Sequence, residues 1–278
     1  MTNRLDGRVA VITGGGNGIG RACALKFAAE GAAVALGDIQ ADAAEAVAAE
    51  VEAQGGRAVG LRVEASTRAD NDALVAAARD LRGGRIDALV TAAGISHANY
   101  WSGDIEADVK VLAGALDYLE RPGWDFVDTD IDQVRRVIDV NLIGTMHAMQ
   151  AVSPVMLEAG TGSIITIASV AAKHPDAGPL GYTLSKAAVW MLTKKAARML
   201  GPAGVRVNAI GPGFIDTSMT KITELFPDEQ RAQFMESIPL RRKGEAHEIA
   251  DCAVFLAGDQ SSYFTGAILH PDGGFFTD

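Results

Sequence analysis

Val9-Ala10-Val11-Ile12-Thr13-Gly14-Gly15-Gly16-Asn17-Gly18-Ile19-Gly20 is the stretch on which the fold turns. Residues 9–13 are small, apolar or β-branched and carry no charge, as expected of a parallel strand covered on both faces. The glycines after it permit a tight turn and a close approach of backbone to a ligand. Apolar side chains then recur at helical spacing over 18–30. A helix that starts directly at such a turn presents free N–H groups and the positive end of its dipole, which suits a pyrophosphate. The spacing Gly14, Gly18, Gly20 is a variant of the strict G-x-G-x-x-G pattern, and a ligand-free glycine turn is the alternative. A phosphate loop of the Walker type is excluded because no Gly-Lys-Ser/Thr follows.

Outward from this unit the same rhythm repeats. Strands are predicted at residues 9–13, 33–37, 58–63, 88–91, 163–168, 206–210 and 267–270, and helices at about 18–30, 41–54, 68–81, 131–158, 181–200 and 245–256. Such alternation implies parallel strands joined by right-handed helical crossovers. The fold class is therefore α/β, a single doubly wound, Rossmann-type parallel sheet with helices on both faces, and residues 1–278 read as one domain. Ligands of such sheets bind beyond the carboxyl ends of the strands, where strand order reverses. Two segments break the rhythm. Residues 95–130 form an insertion far longer than the ~2–6 residues usual between strand and helix; residues 105–119 within it have near-helical apolar spacing. Residues 215–239 read as a mobile lid over a site.

With 278 residues, 48% of them hydrophobic, the chain can bury a large core. A net charge of −10 opposes attraction to nucleic acid or anionic lipid. The longest apolar stretches fall short of the ~20 residues that a spanning helix needs, and no secretion signal opens the sequence. A cytoplasmic protein without membrane or nucleic-acid partners is expected. Cys23 and Cys252 are the two cysteines, read as buried free thiols rather than a disulfide or metal site.

The chemistry-bearing residues follow the strands. Asp38 closes the second strand at the position where an acidic residue accepts hydrogen bonds from an adenosine ribose; a solvated turn carboxylate is the ordinary alternative. Its charge would repel the extra phosphate of NADP, and Asn17, Ile39 and Gln40 offer no compensating cation, so NAD is favoured. Ser169 lies just past the fifth strand, where a hydroxyl can donate to a substrate oxygen and stabilise developing negative charge. Tyr182 and Lys186, four residues apart, share one helix face. A tyrosine titrates near ~10 in water, but an adjacent ammonium and a cationic nicotinamide ring would lower that value towards neutrality. Singly, Ser169 reads as a turn cap, Tyr182 as core and Lys186 as a solvated helix residue.

The order of glycine loop, acidic residue, serine at a strand end, then tyrosine and lysine resembles the short-chain dehydrogenase/reductase family, over essentially the whole chain from Leu5 to Asp272-Gly273-Gly274. The resemblance implies an NAD-dependent enzyme that interconverts a secondary alcohol and a ketone, a small-molecule substrate, no metal, and assembly into a homotetramer. It implies catalytic roles for Ser169, Tyr182 and Lys186, and adds Asn141, which would hold a water in a proton relay; a side chain bonded to backbone within a helix is the alternative. It implies cofactor contacts from Gly14, Asn17, Gly18, Ile19 and Gly20, from Asp38 and Ile39, from Val63 and Glu64, and from Ala92, Ala93 and Gly94. Tyr182 and Lys186 would also touch the cofactor, Lys186 through the nicotinamide ribose. Pro212, Gly213, Ile215 and Thr217 would receive the carboxamide.

Two motifs depart from the family pattern. Thr91-Ala92-Ala93-Gly94 stands where Asn-Asn-Ala-Gly is usual, and Val63-Glu64 where an aspartate is common, which leaves those contacts open. The insertion carries Ser96, His97, Tyr100 and Trp101 as candidate recognition groups, a lone histidine such as His97 being more often structural or solvent-exposed than catalytic. An acyl-thioester ketoreductase is the second enzymatic reading. A dinucleotide sensor without turnover is the non-enzymatic one, and retention of all four catalytic residues argues against it.

Overall fold

The structure, a computed structural model, describes residues 3–116 and 120–276. Seven parallel strands form one sheet in the order β3-β2-β1-β4-β5-β6-β9, with β1 at Val9–Thr13, β2 at Ala33–Asp38, β3 at Arg57–Arg62, β4 at Ala88–Thr91, β5 at Gly162–Ile167, β6 at Val205–Ile210 and β9 at Ile268–Leu269. Every residue of β1, β2, β4 and β5 is buried, as sequences free of charge except for Asp38 at the end of β2 require. Successive side chains point to opposite faces. Ala10 and Ile12 pack with α1 (Gly18–Ala29), α2 (Ala41–Ala53) and α10 (Ala246–Ala257). Val9 and Val11 pack with α3 (Arg68–Leu81), α7 (Gly144–Ala159) and α8 (Leu180–Leu200).

The strand order reverses between β1 and β4: from β1 the chain first builds outward through β2 and β3, then returns to place β4 on the other side. The crossovers diverge there and open a cleft at the carboxyl ends of both strands.

Four features differ from the periodicity. Residues 131–158 do not form one helix: α6 (Ile131–Ile138) passes through a π-helical turn at Asp139–Ile143 into α7. The insertion holds α4 (Ile105–Leu116) and a one-turn helix, α5 (Trp124–Val127); residues 117–119 of the expected 105–119 helix lie outside the described residues. Residues 215–239 contain β7 (Ile215–Asp216), a 3-10 turn at Ser218–Leu225 and α9 (Asp228–Glu236), and β7 pairs with β8 (Gly244–Glu245). Cys23 is buried, but Cys252 is only half-buried. Among the described residues no helix is long and apolar enough to cross a membrane.

Candidate active site

The glycine loop is pressed against the end of β4. A Cβ on Gly14, which has φ of +67°, would stand 2.5 Å from the Ala93 backbone nitrogen, and one on Gly20 would stand 2.0 Å from the Gly14 carbonyl oxygen. Only glycine fits at either point. Asn17 occupies the N-cap of α1 but makes no side-chain cap bond there; its Nδ2 instead donates to Gln40 Oε1 at 3.2 Å. The first N–H groups of α1 are thus left without a side-chain acceptor, an arrangement that fits a pyrophosphate.

Asp38 is buried at the end of β2, and backbone donors fix its carboxylate: Gly16 N–H on Oδ2 at 2.9 Å and Gln40 N–H on Oδ1 at 3.0 Å. Each oxygen keeps an acceptor site, and the group cannot swing aside to make room for another anion. Gly14, Asn17, Gly18, Ile19, Gly20, Asp38, Ile39, Val63, Glu64, Ala92, Ala93, Gly94 and Thr217 all line one groove. Pro212, Gly213 and Ile215, expected at the carboxamide, do not line it: Pro212 O accepts from Val170 N–H next to Ser169, Gly213 is pressed against Asp272, and Ile215 lines a separate cavity with Leu240 and Gly244. The Thr217 hydroxyl is taken up in capping the 3-10 turn that starts at Ser218.

The two departures have structural consequences. Ala92 N–H donates to Thr13 O at 3.0 Å, and Ala93 N–H reaches the Thr13 hydroxyl at only 3.5 Å. The Thr91 hydroxyl is buried without a hydrogen-bond partner. Glu64 is engaged by protein groups, accepting from the Ser66 hydroxyl at 2.8 Å and lying 3.6 Å from the Arg136 guanidinium.

Past β5, Ser169 caps a 3-10 turn, its hydroxyl accepting from Ala171 N–H at 3.1 Å while also hydrogen-bonding to Tyr182. Its roles as cap and as partner of the phenol therefore coexist. The Lys186 ammonium lies 5.6 Å from the centre of the Tyr182 ring and donates to Ile167 O at 2.8 Å. Lys186 is buried, so its reading as a solvated helix residue fails, and burial pulls its pKa down to about 8. Burial pushes the Tyr182 phenol above its ordinary value, and the Ser169 hydrogen bond offsets only part of that. The polypeptide alone therefore keeps the phenol protonated at neutral pH, and the acidification expected from the ammonium needs a second positive charge.

Asn141 sits fully buried in the π-turn. Its Oδ1 accepts from Ile95 N–H at 2.8 Å, and its Nδ2 donates to Ile95 O at 3.0 Å and to the Ser185 hydroxyl at 2.9 Å. Ser185 in turn donates to Tyr182 O at 2.7 Å. The amide thus does bond backbone, and in doing so it couples the root of the insertion to the turn that carries Tyr182. Residue patterns pointed to neither Ser185 nor Arg136, Ser102 and Ser218, which also meet the groove or its supports. Single serines and an arginine have no distinguishing local pattern; only the fold brings them there.

A family model described as short chain dehydrogenase matches residues 8–225. The 2,5-dichloro-2,5-cyclohexadiene-1,4-diol dehydrogenase LinX of Sphingobium indicum is 36% identical over 274 residues, covering 99% of this chain and 98% of its own. The 3-oxoacyl-[acyl-carrier-protein] reductase FabG of Thermotoga maritima is 36% identical over 271 residues, 98% of either chain. A solved 7α-hydroxysteroid dehydrogenase, in complex with NADH and 7-oxoglycochenodeoxycholic acid, superposes with a TM-score of 0.82 at 33% identity, covering 98% of this chain and 96% of that one. Sheet order, glycine cradle and whole-length similarity agree, and the chain belongs to the short-chain dehydrogenase family of oxidoreductases.

Proposed function

We propose that the protein is an NAD-dependent oxidoreductase that interconverts a secondary alcohol and a ketone, with Tyr182 transferring the proton. The observation that carries this reading is the grouping of the Ser169 hydroxyl, the Tyr182 phenol and the buried Lys186 ammonium at the carboxyl edge of β5, where a Cβ on Gly94 of the groove would stand 3.4 Å from Lys186 Nζ. A nicotinamide dinucleotide, when bound, supplies the hydride acceptor or donor. The chain's own residues do the rest. Gly14 to Gly20 hold the diphosphate, and Asp38 accepts from the adenosine ribose hydroxyls. The Ser169 hydroxyl donates to the substrate oxygen and steadies the negative charge that grows on it. Tyr182 takes the alcohol proton in oxidation and returns it in reduction. Lys186 binds the nicotinamide ribose and adds positive charge beside the phenolate, and Asn141 holds the turn that carries both.

NAD is favoured over NADP because the Asp38 carboxylate, fixed by two backbone donors, would face a 2′-phosphate as a like charge. Reduction of a 3-oxoacyl thioester is the second reading, supported by the similarity to FabG over 98% of the chain. The two readings part on a substrate panel run with both cofactors, scored at the absorbance of reduced nicotinamide. In the same assay Tyr182→Phe should bind NADH like the wild type and lose turnover by about 10²-fold or more; retained turnover would refute the assignment. Asp38→Ala should narrow the preference for NAD over NADP by about tenfold, and an unchanged ratio would rule out the ribose contact.

A further inference from the structure

Just beyond Gly94 the insertion crosses the mouth of the dinucleotide groove. Tyr100, Trp101 and Ser102 line the same groove as Gly14, Asp38 and Ala93. Ser102 is tied on both sides. Its carbonyl accepts from Gln40 Nε2 at 3.3 Å, and Gln40 is itself bonded to Asn17 of the glycine loop. Its hydroxyl meets the Ser218 hydroxyl at 3.0 Å, at the start of the 3-10 turn that follows Thr217. Tyr100 lines the groove beside the two serines; burial pushes its phenol above the ordinary value, and the serine hydroxyls offset part of that. A bridge of side chains therefore runs from the glycine loop, above the residue read as the ribose acceptor, to the segment 215–239.

The bridge is rigid at its root and light at its tip. Ile95 is held at both backbone atoms by Asn141. His97 Nε2 and Asp108 Oδ1 pair at 2.7 Å with both side chains nearly buried, and the His97 ring packs edge-on against Tyr100. Across the groove, by contrast, the hydrogen bonds are one hydroxyl pair, Ser102 with Ser218, and one amide bond, Gln40 to the Ser102 carbonyl, each exchangeable with water at small cost. The cavity beneath measures about 210 Å³, below the roughly 300–1,000 Å³ of ordinary small-molecule sites.

We propose that Tyr100, Ser102 and Ser218 form a clasp across the adenosine end of the dinucleotide groove, which holds the cofactor between turnovers and sets how fast it exchanges with solution. The proposal rests on the nicotinamide-dinucleotide reading given above and assigns these residues to cofactor retention rather than to the chemical step. Opening requires that the Ser102–Ser218 hydroxyl contact and the Gln40–Ser102 bond break while the root stays in place, so loss of the hydroxyls should speed release without unfolding the insertion.

The test is the dissociation rate of NADH from the full-length protein, measured by stopped-flow fluorescence of the reduced nicotinamide after displacement with excess NAD. In the Tyr100→Phe, Ser218→Ala double variant release should quicken by about tenfold, with the thermal midpoint unchanged. A second pair, Ser102→Cys with Ser218→Cys, places two thiols where the hydroxyls touch. Oxidised after loading with NADH it should retain the nucleotide, and oxidised before loading it should exclude it, with a reducing agent reversing both; single-cysteine variants control for Cys252. Release at the wild-type rate in the double variant, or equal release from the oxidised and reduced cysteine pair, overturns the clasp. Absence of NADH uptake by the wild type would instead overturn the dinucleotide reading on which it rests.

Discussion

Lys186 shows how the site trades stability for chemistry. Its ammonium is buried with one backbone carbonyl as its acceptor, and burial lowers its pKa from 10.5 to about 8. In the unfolded chain the ordinary value returns. Below pH 8 both states carry the charge and the folded state bears the full desolvation cost. Between pH 8 and 10.5 the folded state sheds its proton first, so this cost falls as pH rises, and it is gone above 10.5. Lys186→Met keeps the length of the side chain and discards the charge. It should raise stability at pH 7 by about 1–2 kcal/mol, after allowing for the donor lost to Ile167 O. Wild type should regain about 3 kcal/mol between pH 7 and 10.5, so the advantage should vanish at about pH 9 and reverse above it, while turnover falls by about 10²-fold or more. Urea denaturation of both proteins at several pH values measures the first part; a variant less stable than wild type at pH 7 would show that the ammonium is not held at a cost. The Tyr182–Lys186 spacing was legible in the sequence because a four-residue step fixes a shared helix face. The direction of the phenol's pKa was not, because desolvation depends on everything packed around the ring.

At the scale of elements, strand and helix alternation was legible because burial on both faces leaves an uncharged run in the central strands β1, β4 and β5, and five of the six expected helices begin and end within a residue or two of their apolar pattern, the sixth being divided by the π-turn. The π-turn at Asp139–Ile143 was not legible: one widened turn shifts the register by a single residue, too little to break a period of 3.6 over five residues. Yet this turn places Asn141 where it clamps Ile95 and, through Ser185, the backbone of Tyr182. Asn141→Ala leaves the Ile95 N–H and C=O without those partners. We expect a loss of about 2–4 kcal/mol in urea denaturation, together with faster hydrogen exchange at the Ile95 amide. A loss below about 0.5 kcal/mol would mean that the clamp is replaced by water and is not structural. The bridge over the groove was equally illegible, since Ser102 and Ser218 are 116 positions apart and meet only after the sheet is built.

At the scale of the whole molecule, a row of apolar side chains on the outer face of α8 has no counterpart in an isolated chain. Leu180, Leu184 and Met191 stand at helical spacing on one stripe and are 42%, 49% and 59% exposed. Ile131, also exposed, begins α6, which packs against α8. Scattered exposed apolar residues are ordinary, but a stripe on one helix marks a surface that another element covers. The net charge of −10 sets copies of the chain against each other at long range, and salt screens that repulsion within about 10 Å at 0.1 M, so short-range apolar burial decides the outcome at physiological ionic strength. Self-association through α8 is therefore expected, with the tetramer implied by the family resemblance as the closed form. A Leu184→Asp, Met191→Asp double variant places two carboxylates on the stripe and should lower the mass found by light scattering below that of the wild type, because a closed tetramer needs more than one kind of contact and loses the one through α8. NADH binding should survive, since neither residue lines the dinucleotide groove. If the wild type already scatters as a single chain at micromolar concentration, or the variant keeps the wild-type mass, the stripe is not the contact and the apolar face of α8 must be explained in another way.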